Sequence, residues 1–531
     1  MSTKARAYDY IIVGAGSAGC VLAARLSEDP RVRVALVESG GRDRRSEVRI
    51  PAAFTALFKT PYDWDLRTAK QEALGGRELY WPRGHVLGGS SSLNAMMWIP
   101  GHRADYDAWG ELAGEEWAYD AFVRYVRRAE RWAGAGDPAR TTAYGTDGPL
   151  HIAPLRDPHP ATAAFLEACR GAGLPELPEL SGPDHSGCAP TPVNQRRGRR
   201  WSAADGYLRP ALKRPNLHVY TDTRVSRLHF DDTGTRVNGI VAERPGANTL
   251  LARREVVLSA GAVGSPHLLL RSGIGDPDAL RAAGVRIRVA SPEVGRHLQD
   301  HLATAITLRT TEPISLTGAK TLPNLLRYLL AGRGPLTSNI AEAMAFTRST
   351  PELAAPDLEL IFAPVPFVDH GLAPPTEHGL TIGVVLLQPE SAGTLSLGAD
   401  GAAVIDPGYL TSDGDLRTLV AGVRQAEALF AAPPLARLTA DPMGEYPGVL
   451  DDAALGELIR ATSQTLYHPV GTCRMGLDPY SVTDPRLRVR GVPGLRVVDA
   501  SVMPRITRGH THAPTVALAE KAAELIQEDA A

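Results

Sequence analysis

The apolar and polar positions along the first 40 residues predict a strand, a turn, a helix and a second strand. Residues 10–13 are an apolar run, residues 20–26 follow a helical pattern, and residues 32–37 form a second apolar run that ends in Glu38. The turn after the first strand reads G-x-G-x-x-G. This order is typical of a βαβ unit that binds a dinucleotide.

Each glycine of that turn has its own physical role. The first allows a tight turn, the second lets the backbone approach a pyrophosphate, and the third lets the helix pack on the strand. The helix N-terminus offers N–H groups to phosphates, and an acidic residue at the end of the second strand accepts from ribose hydroxyls. The pattern leaves FAD and NAD open. The candidate binding residues of this unit are Gly14, Gly16, Ser17, Ala18, Gly19 and Glu38.

A second glycine cluster lies in residues 83–101, which read RGHVLGGSSSLNAMMWIPG. A flexible surface loop is one interpretation. Apolar residues in and around the cluster, among them Trp81, Leu87 and Trp98, instead favour a buried loop. Buried backbone N–H groups need partners, and a flat polar ring of a ligand would supply them.

The rest of the chain predicts a second unit with strands and at least one long helix. Residues 304–370 have dispersed proline and glycine and only weak periodicity. Residues 378–397 predict two paired strands around a Ser-Ala-Gly turn, and residues 415–430 predict a helix. A chain of 531 residues is too long for a single core, so two large domains are expected.

Composition and charge narrow the class of protein. Apolar residues make up 44% of the chain and charged residues 22%, and the formal net charge is -2. No overall field would therefore draw the chain to nucleic acid or to an anionic membrane. The run QRRGRR at residues 195–200 is basic. We interpret it as a solvated loop or as a means of steering an anionic ligand.

Cysteine usage and the chain start bear on the compartment. Cys20, Cys169, Cys188 and Cys473 lack C-x-x-C spacing, which argues against a zinc ribbon or a disulfide framework. The first strand begins by Tyr8, which leaves no room for a signal peptide. No apolar stretch approaches the roughly 18 residues that a membrane span needs. The expectation is a cytoplasmic protein.

Five blocks of sequence, in the same order, resemble the signatures of one enzyme family. They are residues 83–101, residues 259–275 (SAGAVGSPHLLLRSGIG), residues 294–302 (VGRHLQDHL), residues 467–476 (YHPVGTCRMG) and residues 495–515 (LRVVDASVMPRITRGHTHAPT). Together with the dinucleotide turn they resemble the glucose–methanol–choline (GMC) flavoprotein oxidoreductases. The resemblance covers nearly the whole chain.

The resemblance implies a fold and a division into domains. The fold class is α/β, or α+β overall, with a Rossmann-like FAD-binding domain and a discontinuous substrate-binding domain built on an antiparallel sheet with helices. The implied FAD-binding domain uses residues 1–152, 201–303 and 462–531. The implied substrate-binding domain uses residues 153–200 and 304–461.

The resemblance also implies FAD as the cofactor. Relatives with covalent FAD place a histidine in the serine block, where this chain has Leu93, and His85 lies earlier, at a position that is usually Lys or Arg. Non-covalent FAD is therefore expected. Beyond the dinucleotide turn, the implied cofactor-binding residues are Trp81, Gly84, Leu87, Gly89, Ser90, Asn94, Met96, Val225, Ala260, Gly261, Asp499, Ala500, His510, Thr511 and His512.

Two histidines near the chain end, His510 and His512, allow three interpretations: a metal site, a catalytic pair, or unrelated polar residues. Alternation on an extended segment would send their side chains to opposite faces, which disfavours a shared metal ion. The resemblance implies that His510 and His468, in the motif YHPVG, form the catalytic pair. His512 departs from relatives that have asparagine there, and its place in the motif suggests a role on the cofactor side.

The chemistry of alcohol oxidation accounts for such a pair. A hydride leaves the alcohol carbon only as the hydroxyl loses its proton, and an imidazole with a pKa near 6.5 is suited to take that proton. His468 is then the general base, while His510 hydrogen-bonds the same oxygen and steadies the developing alkoxide. The helix predicted from residue 513 would direct its positive end at the pyrimidine edge of the flavin.

The position after the LQDH block bears on the substrate. Choline-oxidising relatives carry a glutamate there, where this chain has Leu302 and Ala303, so a small or medium neutral alcohol is expected. Aromatic residues are candidates for the pocket around it. They are Tyr467, Trp98, Phe362 and Phe367.

Two other classes of function share this scaffold. A lyase or a decarboxylase would keep FAD without net alcohol oxidation, and a non-catalytic flavin-binding protein is disfavoured because both histidines are present. The sequence leaves oxygen, a quinone or another carrier open as the electron acceptor. It also leaves open a monomer or a homodimer.

Overall fold

The computed structural model describes residues 7–134, 143–243 and 249–531. Two seven-stranded sheets organise these residues, and helices pack on both. The strands are β1 (Ala7–Val13), β2 (Val34–Val37), β3 (Leu66–Arg67), β4 (Tyr80–Trp81), β5 (Glu130–Trp132), β6 (Leu150–Ile152), β7 (Gly187–Pro190), β8 (Gln195–Arg196), β9 (Arg199–Arg200), β10 (Leu217–Tyr220), β11 (Arg224–Phe230), β12 (Val237–Glu243), β13 (Thr249–Leu258), β14 (Ile274–Gly275), β15 (Val289–Ala290), β16 (Leu302–Thr310), β17 (Ala343–Thr347), β18 (Leu358–Ala363), β19 (Gly379–Leu386), β20 (Thr394–Leu397), β21 (Ala403–Asp406), β22 (Thr439–Pro442), β23 (Gln464–Thr465) and β24 (Leu495–Val497). The α-helices are α1 (Ser17–Leu26), α2 (Arg103–Ala113), α3 (Tyr119–Ala129), α4 (Pro160–Gly171), α5 (Arg209–Ala211), α6 (Gly261–Arg271), α7 (Pro277–Ala282), α8 (Leu322–Ala331), α9 (Asp413–Ala431), α10 (Pro433–Ala436), α11 (Asp452–Thr462) and α12 (His512–Ala530).

The first sheet has the strand order β10-β2-β1-β13-β12-β11, with β24 paired to β13. Strands β10, β2, β1, β13 and β24 run parallel, and β12 and β11 add antiparallel partners. Ile11 in β1 faces Ala35 of β2 and Val256 of β13, and it is fully buried. Parallel strands covered on both faces need continuous apolar runs, which explains the YIIV and VALV segments of β1 and β2.

Helix α1 packs against β1, β2 and the C-terminal helix α12. Arg25 of α1 donates to both carboxylate oxygens of Glu520 in α12, at 2.8 Å each. Glu520 is fully buried, so this paired contact provides its charge compensation. This contact fixes the middle of α12 against the C-terminal end of α1.

The second sheet has the order β22-β16-β19-β18-β17-β7, with β23 paired to β16, and its strand pairs are antiparallel. Helix α9 packs on β16, β18 and β19. The Ser412 side chain caps this helix by accepting from the N–H of Gly414 at 3.2 Å. Asp413 and Asp415 in the first turn complement the helix dipole.

The predicted fold class is confirmed, because a parallel dinucleotide-binding sheet and a separate antiparallel sheet are both present. The helix predicted at residues 415–430 is α9. The division into FAD-binding and substrate-binding domains at the stated boundaries stays a prediction. One detail bears on it: β23, in a segment assigned to the FAD-binding domain, pairs with β16 of the second sheet.

Two predictions for the second unit were wrong in part. Residues 378–397 do form strands, but β19 pairs with β16 and β18, whereas β20 pairs with β21. The reason is that the backbone between them leaves the sheet and bonds elsewhere, as the mutual N–H to carbonyl bonds of Gly393 with Leu298 show. Residues 304–370, read as weakly periodic, contain helix α8.

The basic run at residues 195–200 is not a uniform solvated loop. It forms the hairpin β8–β9, in which Arg196, Arg197 and Arg199 are exposed while Gln195 and Arg200 are buried. The Arg200 guanidinium donates to the serine block of the second glycine cluster, at 3.2 Å to a backbone carbonyl and 2.6 Å to an asparagine side chain. Part of the run therefore has a structural role.

The structure also defines the surroundings of the cysteines and the lengths of the helices. All four cysteines are buried and unpaired. Among the helices in the described parts of the chain, none is long and apolar enough to cross a membrane.

Candidate active site

One large cavity is lined by residues of both sheets and of the loops that connect them. Its volume is about 710 Å³. Glu38 at the end of β2 lines one part, and Ile361 of β18 and Val385 of β19 line another. His468 and His510 line the same cavity. The predicted cofactor-binding and catalytic residues therefore come together at one site.

Glycines make the close approaches at the dinucleotide turn. Gly14 has a φ of 100°, and a Cβ there would lie 2.4 Å from the carbonyl oxygen of Ser259. A Cβ at Gly19 would lie 1.9 Å from the Gly14 oxygen, so α1 could not pack so closely on β1. A Cβ at Gly16 would meet only Gly89, at 4.0 Å, so the space in front of Gly16 is open to the cavity.

Glu38 links the dinucleotide turn to the loop that follows β2. One carboxylate oxygen accepts from the N–H of Ala15 and the other from the N–H of Gly40, at 2.8 Å each. Burial raises the pKa of Glu38, and these backbone bonds act against that rise. The carboxylate therefore holds the turn in place as well as facing the cavity.

Most of the predicted cofactor-binding residues line the cavity. They are Gly14, Gly16, Ser17, Ala18, Glu38, Gly84, Gly89, Ser90, Asn94, Met96, Val225, Ala260, Gly261, Asp499, Ala500, His510, Thr511 and His512. Gly19, Trp81 and Leu87 lie outside the lining. The Trp81 indole instead donates to the Tyr409 hydroxyl at 3.0 Å, and the Leu87 carbonyl accepts from Ser92 at 2.8 Å. These three residues lie behind the residues that line the cavity and do not contact its interior.

The two histidines that were predicted as the catalytic pair lie close together in space. The rings of His468 and His510 have centroids 4.8 Å apart and meet edge to face. His468 follows β23, and the preceding Tyr467 has a φ of 69°, a left-handed conformation that costs a non-glycine residue roughly 1–2 kcal/mol. The N–H of Tyr467 donates to the Thr465 hydroxyl at 2.8 Å, which helps to hold this conformation.

A buried carboxylate fixes the backbone at His468. Asp300 accepts from the N–H of His468 at 2.6 Å, from the Thr465 hydroxyl at 2.6 Å and from the Tyr409 hydroxyl at 2.5 Å. Burial raises the pKa of Asp300 to about 6, although these donors act in the opposite direction. Asp300 thus positions the loop that carries His468.

A chain of hydrogen bonds determines which nitrogen of His468 carries the proton. The Nε2 of His301 lies 3.0 Å from the Leu387 carbonyl oxygen, which can only accept, so Nε2 carries a proton. Burial lowers the pKa of His301 to about 3, so its Nδ1 is an acceptor at neutral pH. The Nδ1 of His468 lies 3.0 Å from it and must donate. The lone pair of His468 is therefore on Nε2.

The His468 ring is neutral at ordinary pH. Burial, together with the charges of His510 and His301, lowers the pKa of His468 well below 6.5. Nε2 has no hydrogen-bond partner among the described residues, while the ring lines the cavity. His468 therefore offers the cavity an unprotonated imidazole nitrogen.

His510 is paired with a carboxylate from the other sheet. Its Nε2 lies 3.0 Å from Oε1 of Glu359 in β18. Glu359 is fully buried, and its Oε2 has no partner in the part of the chain that the structure describes. A buried carboxylate with this single partner depends on the hydrogen bond from His510 to satisfy it.

His512 lies on the cofactor side of the cavity. Its Nδ1 is 2.9 Å from the Ser17 hydroxyl at the start of α1, and its ring meets Trp98 edge to face at 5.5 Å. Thr511 before it has helical φ and ψ, so the segment is not extended as the sequence suggested. The two side chains still diverge, His510 toward β18 and His512 toward α1.

The four aromatic pocket candidates divide into two groups. Tyr467 and Phe367 line the cavity. Trp98 and Phe362 do not, and both are fully buried core residues. The Trp98 indole donates to Glu130 at 2.6 Å, which accounts for its burial. These two candidates therefore belong to the core, because an aromatic residue near a motif is as useful to the core as to a pocket.

Sequence reasoning missed three residues of the site. His301 and Asp300 lie in the LQDH block, which contributed to the resemblance without a role being assigned to either residue. Glu359 carried a signal of its own, because it is the single acidic residue in the otherwise apolar strand LELIFA. A lone carboxylate in a fully buried strand requires a partner.

A metal site depends on the spacing of the side chains that could bind the ion. Within residues 7–134, 143–243 and 249–531, no group of three or more His, Cys, Asp or Glu side chains is arranged to hold a metal ion.

The chain belongs to the GMC oxidoreductase family. The family's N-terminal model matches residues 8–303, and its C-terminal model matches residues 389–519. This establishes an oxidoreductase and confirms the resemblance drawn from the five sequence blocks.

Individual relatives agree over nearly their full length. An uncharacterized GMC-type oxidoreductase of Mycobacterium bovis is 48% identical, over 98% of this chain and 99% of that protein. An alcohol dehydrogenase (acceptor) of Pseudomonas putida is 39% identical, over 98% of this chain and 95% of that protein. The crystal structure of pyridoxine 4-oxidase from Mesorbium loti has a TM-score of 0.88 and 34% identity, and covers 97% of this chain and 98% of that one.

The cofactor of this family member is FAD, and the residues of the cavity fit it. Open space in front of Gly16, the N-terminus of α1 without a side-chain cap, and the buried carboxylate of Glu38 suit a dinucleotide. Non-covalent binding is typical of the family, and Leu93, not a histidine, lines the cavity beside the serine block. His85 lies outside the lining and packs against Trp64 with the two rings tilted and their centroids 4.3 Å apart.

Proposed function

We propose that this protein oxidises the CH–OH group of a small or medium neutral alcohol to the aldehyde or ketone. The observation that carries the proposal is the His301–His468 hydrogen bond, which leaves a lone pair on His468 Nε2 at the cavity. FAD, when bound, supplies the acceptor for the hydride that leaves the alcohol carbon. The relatives named alcohol dehydrogenase and pyridoxine 4-oxidase support this class of reaction.

His468 is the general base in this proposal. Its Nε2 accepts the hydroxyl proton of the alcohol as the carbon–hydrogen bond breaks. The lowered pKa of His468 keeps the ring in the accepting form across the neutral range. His301 and Asp300 are positioning residues, because one fixes the tautomer and the other fixes the backbone.

His510 supports the oxygen that loses the proton. Glu359 accepts from Nε2 of His510, which orients the ring and compensates a positive charge on it. His510 can then carry a second proton on Nδ1 and donate it as a hydrogen bond to the developing alkoxide. The contact with Glu359 thus holds the His510 ring in place before the reaction begins.

The cavity favours a neutral substrate. Ala303 lines the cavity at the position where choline-oxidising relatives carry a glutamate, so a quaternary ammonium group would lack that counter-charge. Around it the lining is small or apolar, with Ala305, Ile361 and Val385. An uncharged hydroxymethyl compound needs no counter-charge in this part of the lining.

The experiment is anaerobic mixing of the FAD-loaded protein with a panel of neutral and cationic alcohols while flavin absorbance is recorded. Bleaching by neutral alcohols, with recovery on admission of air or an artificial acceptor, is expected. Choline serves as the cationic control and should bleach the flavin far more slowly. A lyase would leave the flavin oxidised with every alcohol, and a decarboxylase would require light. Either result would overturn the proposal.

A further inference from the structure

Helix α8 exposes an apolar face that the alcohol-oxidising site does not use. Its five leucines recur at the spacing i, i+3, i+4, i+7 and i+8, which places them on one side of the helix. This spacing normally marks the buried face of a surface helix. Here the leucines point outward, and their exposed fractions are 68% for Leu322, 37% for Leu325, 48% for Leu326, 55% for Leu329 and 86% for Leu330. We call these five residues the leucine face.

The helix is attached to the protein by its other side. Tyr328, the one fully enclosed residue of the helix, donates its hydroxyl to the carbonyl of Arg49 at 3.2 Å. Thr321 caps the helix by accepting from the N–H of Asn324, and Gly332 ends it in a left-handed conformation. The helix therefore has defined ends and a fixed orientation, so the exposure of the leucine face is a property of the fold.

Basic side chains lie on helix α8 and beside its two ends. The exposed arginines of the hairpin β8–β9 lie beside the end of α8, since a Cβ on Gly198 would lie 2.4 Å from the Gly332 oxygen. Arg327 of α8 and Arg333 just after it form ion pairs with Asp157, at 3.7 Å and 2.9 Å. The basic rim consists of Arg196, Arg197, Arg199, Lys320, Arg327 and Arg333, all of them exposed.

We infer that the leucine face and the basic rim dock this protein on the surface of an anionic lipid bilayer. A helix with leucines on one side and arginines around it is suited to lie in the plane of a membrane interface, with its apolar side in the acyl boundary. The excess of positive charge selects an anionic surface, whereas a second copy of the same face would bring like charges together. The chain as a whole has a net charge of -2, so the attraction is local to this rim.

Docking would leave the active site intact. The 3-10 turn Pro335–Thr337 after α8 packs on Pro51–Leu57, which supplies Phe54 to the cavity wall. The leucine face itself contributes nothing to the cavity lining. This inference is therefore independent of the proposed alcohol oxidation and can fail or succeed without it.

The test is co-sedimentation of the FAD-loaded protein with vesicles of phosphatidylcholine, with and without phosphatidylglycerol. The parent is expected to bind the anionic vesicles and to release from them at high salt. The triple variant Leu326→Gln, Leu329→Gln and Leu330→Gln should bind at least roughly tenfold more weakly, because three apolar side chains no longer enter the interface. The absorbance of retained FAD and the melting temperature, which do not depend on the proposed alcohol oxidation, serve as the check that each variant is folded.

Two further variants complete the design. Arg196→Gln with Arg197→Asn should also weaken binding and reduce its salt dependence; asparagine suits the left-handed φ of 55° at Arg197. The control is Leu212→Gln with Leu477→Gln, which removes leucines of 48% and 62% exposure elsewhere on the surface and should bind like the parent.

Failure of the parent to bind anionic vesicles, or equal binding by the leucine variant, would overturn the inference. Equal binding to phosphatidylcholine alone would overturn the role of the basic rim. A parent that is a dimer without vesicles, and a leucine variant that is a monomer, would show that a second copy covers the face instead. Sedimentation velocity on the same samples measures that outcome.

Discussion

At the scale of single residues, different contacts fix the two cavity histidines. His468 donates from Nδ1 to a neutral histidine, and His510 donates from Nε2 to a carboxylate. The contact of His468 leaves a lone pair on Nε2 that can accept a proton. The contact of His510 leaves Nδ1 free to interact with the oxygen of an alcohol. The roles proposed for the two histidines therefore differ because of their neighbours, not because of their own chemistry.

The first prediction separates the three histidines of the C-terminal motifs. Loss of a general base typically costs about 10²–10⁴ in rate, so His468→Ala should lose most alcohol-driven flavin reduction while FAD is retained. His510→Asn should be milder because an amide can still donate to the alcohol oxygen. His512→Asn should be the mildest, since its Nδ1 contacts Ser17. If His512→Asn proves the most damaged variant, the assignment of roles is wrong.

The second prediction concerns Glu359. Glu359→Gln keeps an acceptor for His510 Nε2 but removes the negative charge, so the rate of flavin reduction should fall by roughly tenfold to a hundredfold. Glu130→Gln is the matched control, because Glu130 is also fully buried but contacts Trp98 outside the cavity. Rates measured by anaerobic stopped flow should separate the two. Equal effects would indicate a general loss of stability.

The third prediction is the pH dependence of flavin reduction. Protonation of His468 removes the base, and its pKa is lowered well below the ordinary value of 6.5 by burial. The rate should therefore stay high as the pH falls to about 6.5 and decline only below it, since an unperturbed imidazole would already be half protonated there. A midpoint at or above about 6.5 in the pH profile of the reduction rate would contradict the lowered pKa.

At the scale of elements, the contact between helix α9 and the second sheet depends on a glycine. A Cβ at Gly422 would lie 2.5 Å from Cγ1 of Val384 and 2.8 Å from Cδ2 of Leu358. The absent side chain lets the helix lie close to β18 and β19. Strands β18 and β19 form part of the cavity wall, and this close packing determines their position.

The fourth prediction tests that contact. Gly422→Ala should lower the free energy of unfolding by roughly 1–3 kcal/mol, because the extra methyl group overpacks the interface. Gly456→Ala in α11 is the control: its Cβ would meet only Leu416, at 3.6 Å. That variant should gain roughly 0.5–1 kcal/mol from helix propensity. Denaturant unfolding measures both, and equal signs would contradict the packing argument.

At the scale of the whole molecule, one cavity is shared by the two sheets. Residues from β2 and the dinucleotide turn meet residues of β16, β18 and β19 around it. A ligand in this space contacts both parts of the protein. Binding of FAD should therefore stabilise the molecule as a unit.

The fifth prediction is the effect of removing FAD. A ligand that binds only the native state adds about 2.7 kcal/mol to stability at a hundredfold excess over Kd, so the apoprotein should melt at a lower temperature and recover with added FAD. Acid precipitation should leave the yellow colour in the supernatant, since Leu93 stands in the serine block. Colour that pellets with the protein would contradict non-covalent binding.

The first unit of the chain was predictable because its physics is local. Strands β1 and β2, helix α1 and the three glycines lie within 40 residues, and their order in the sequence is their order in the fold. Helix α9 was predictable for the same reason, from its periodicity and its cap. The pairing of β19 and β20 was not, because β19 pairs with the distant strand β16, while β20 pairs with the strand that follows it, β21.

The sequence by itself determined the cofactor class and the fold class, and it singled out His468 and His510 as the candidate catalytic pair, since turn chemistry and ordered motifs carry that information. The tertiary structure decided the rest. His301 sets the tautomer of His468 across 167 positions, and Glu359 meets His510 across 151 positions. The leucine face could not be predicted from the sequence for the same reason. The spacing of its leucines predicts burial, whereas their exposure follows from where Tyr328 attaches the helix. Proton positions and exposure depend on which distant residues become neighbours, and only the folded chain defines those.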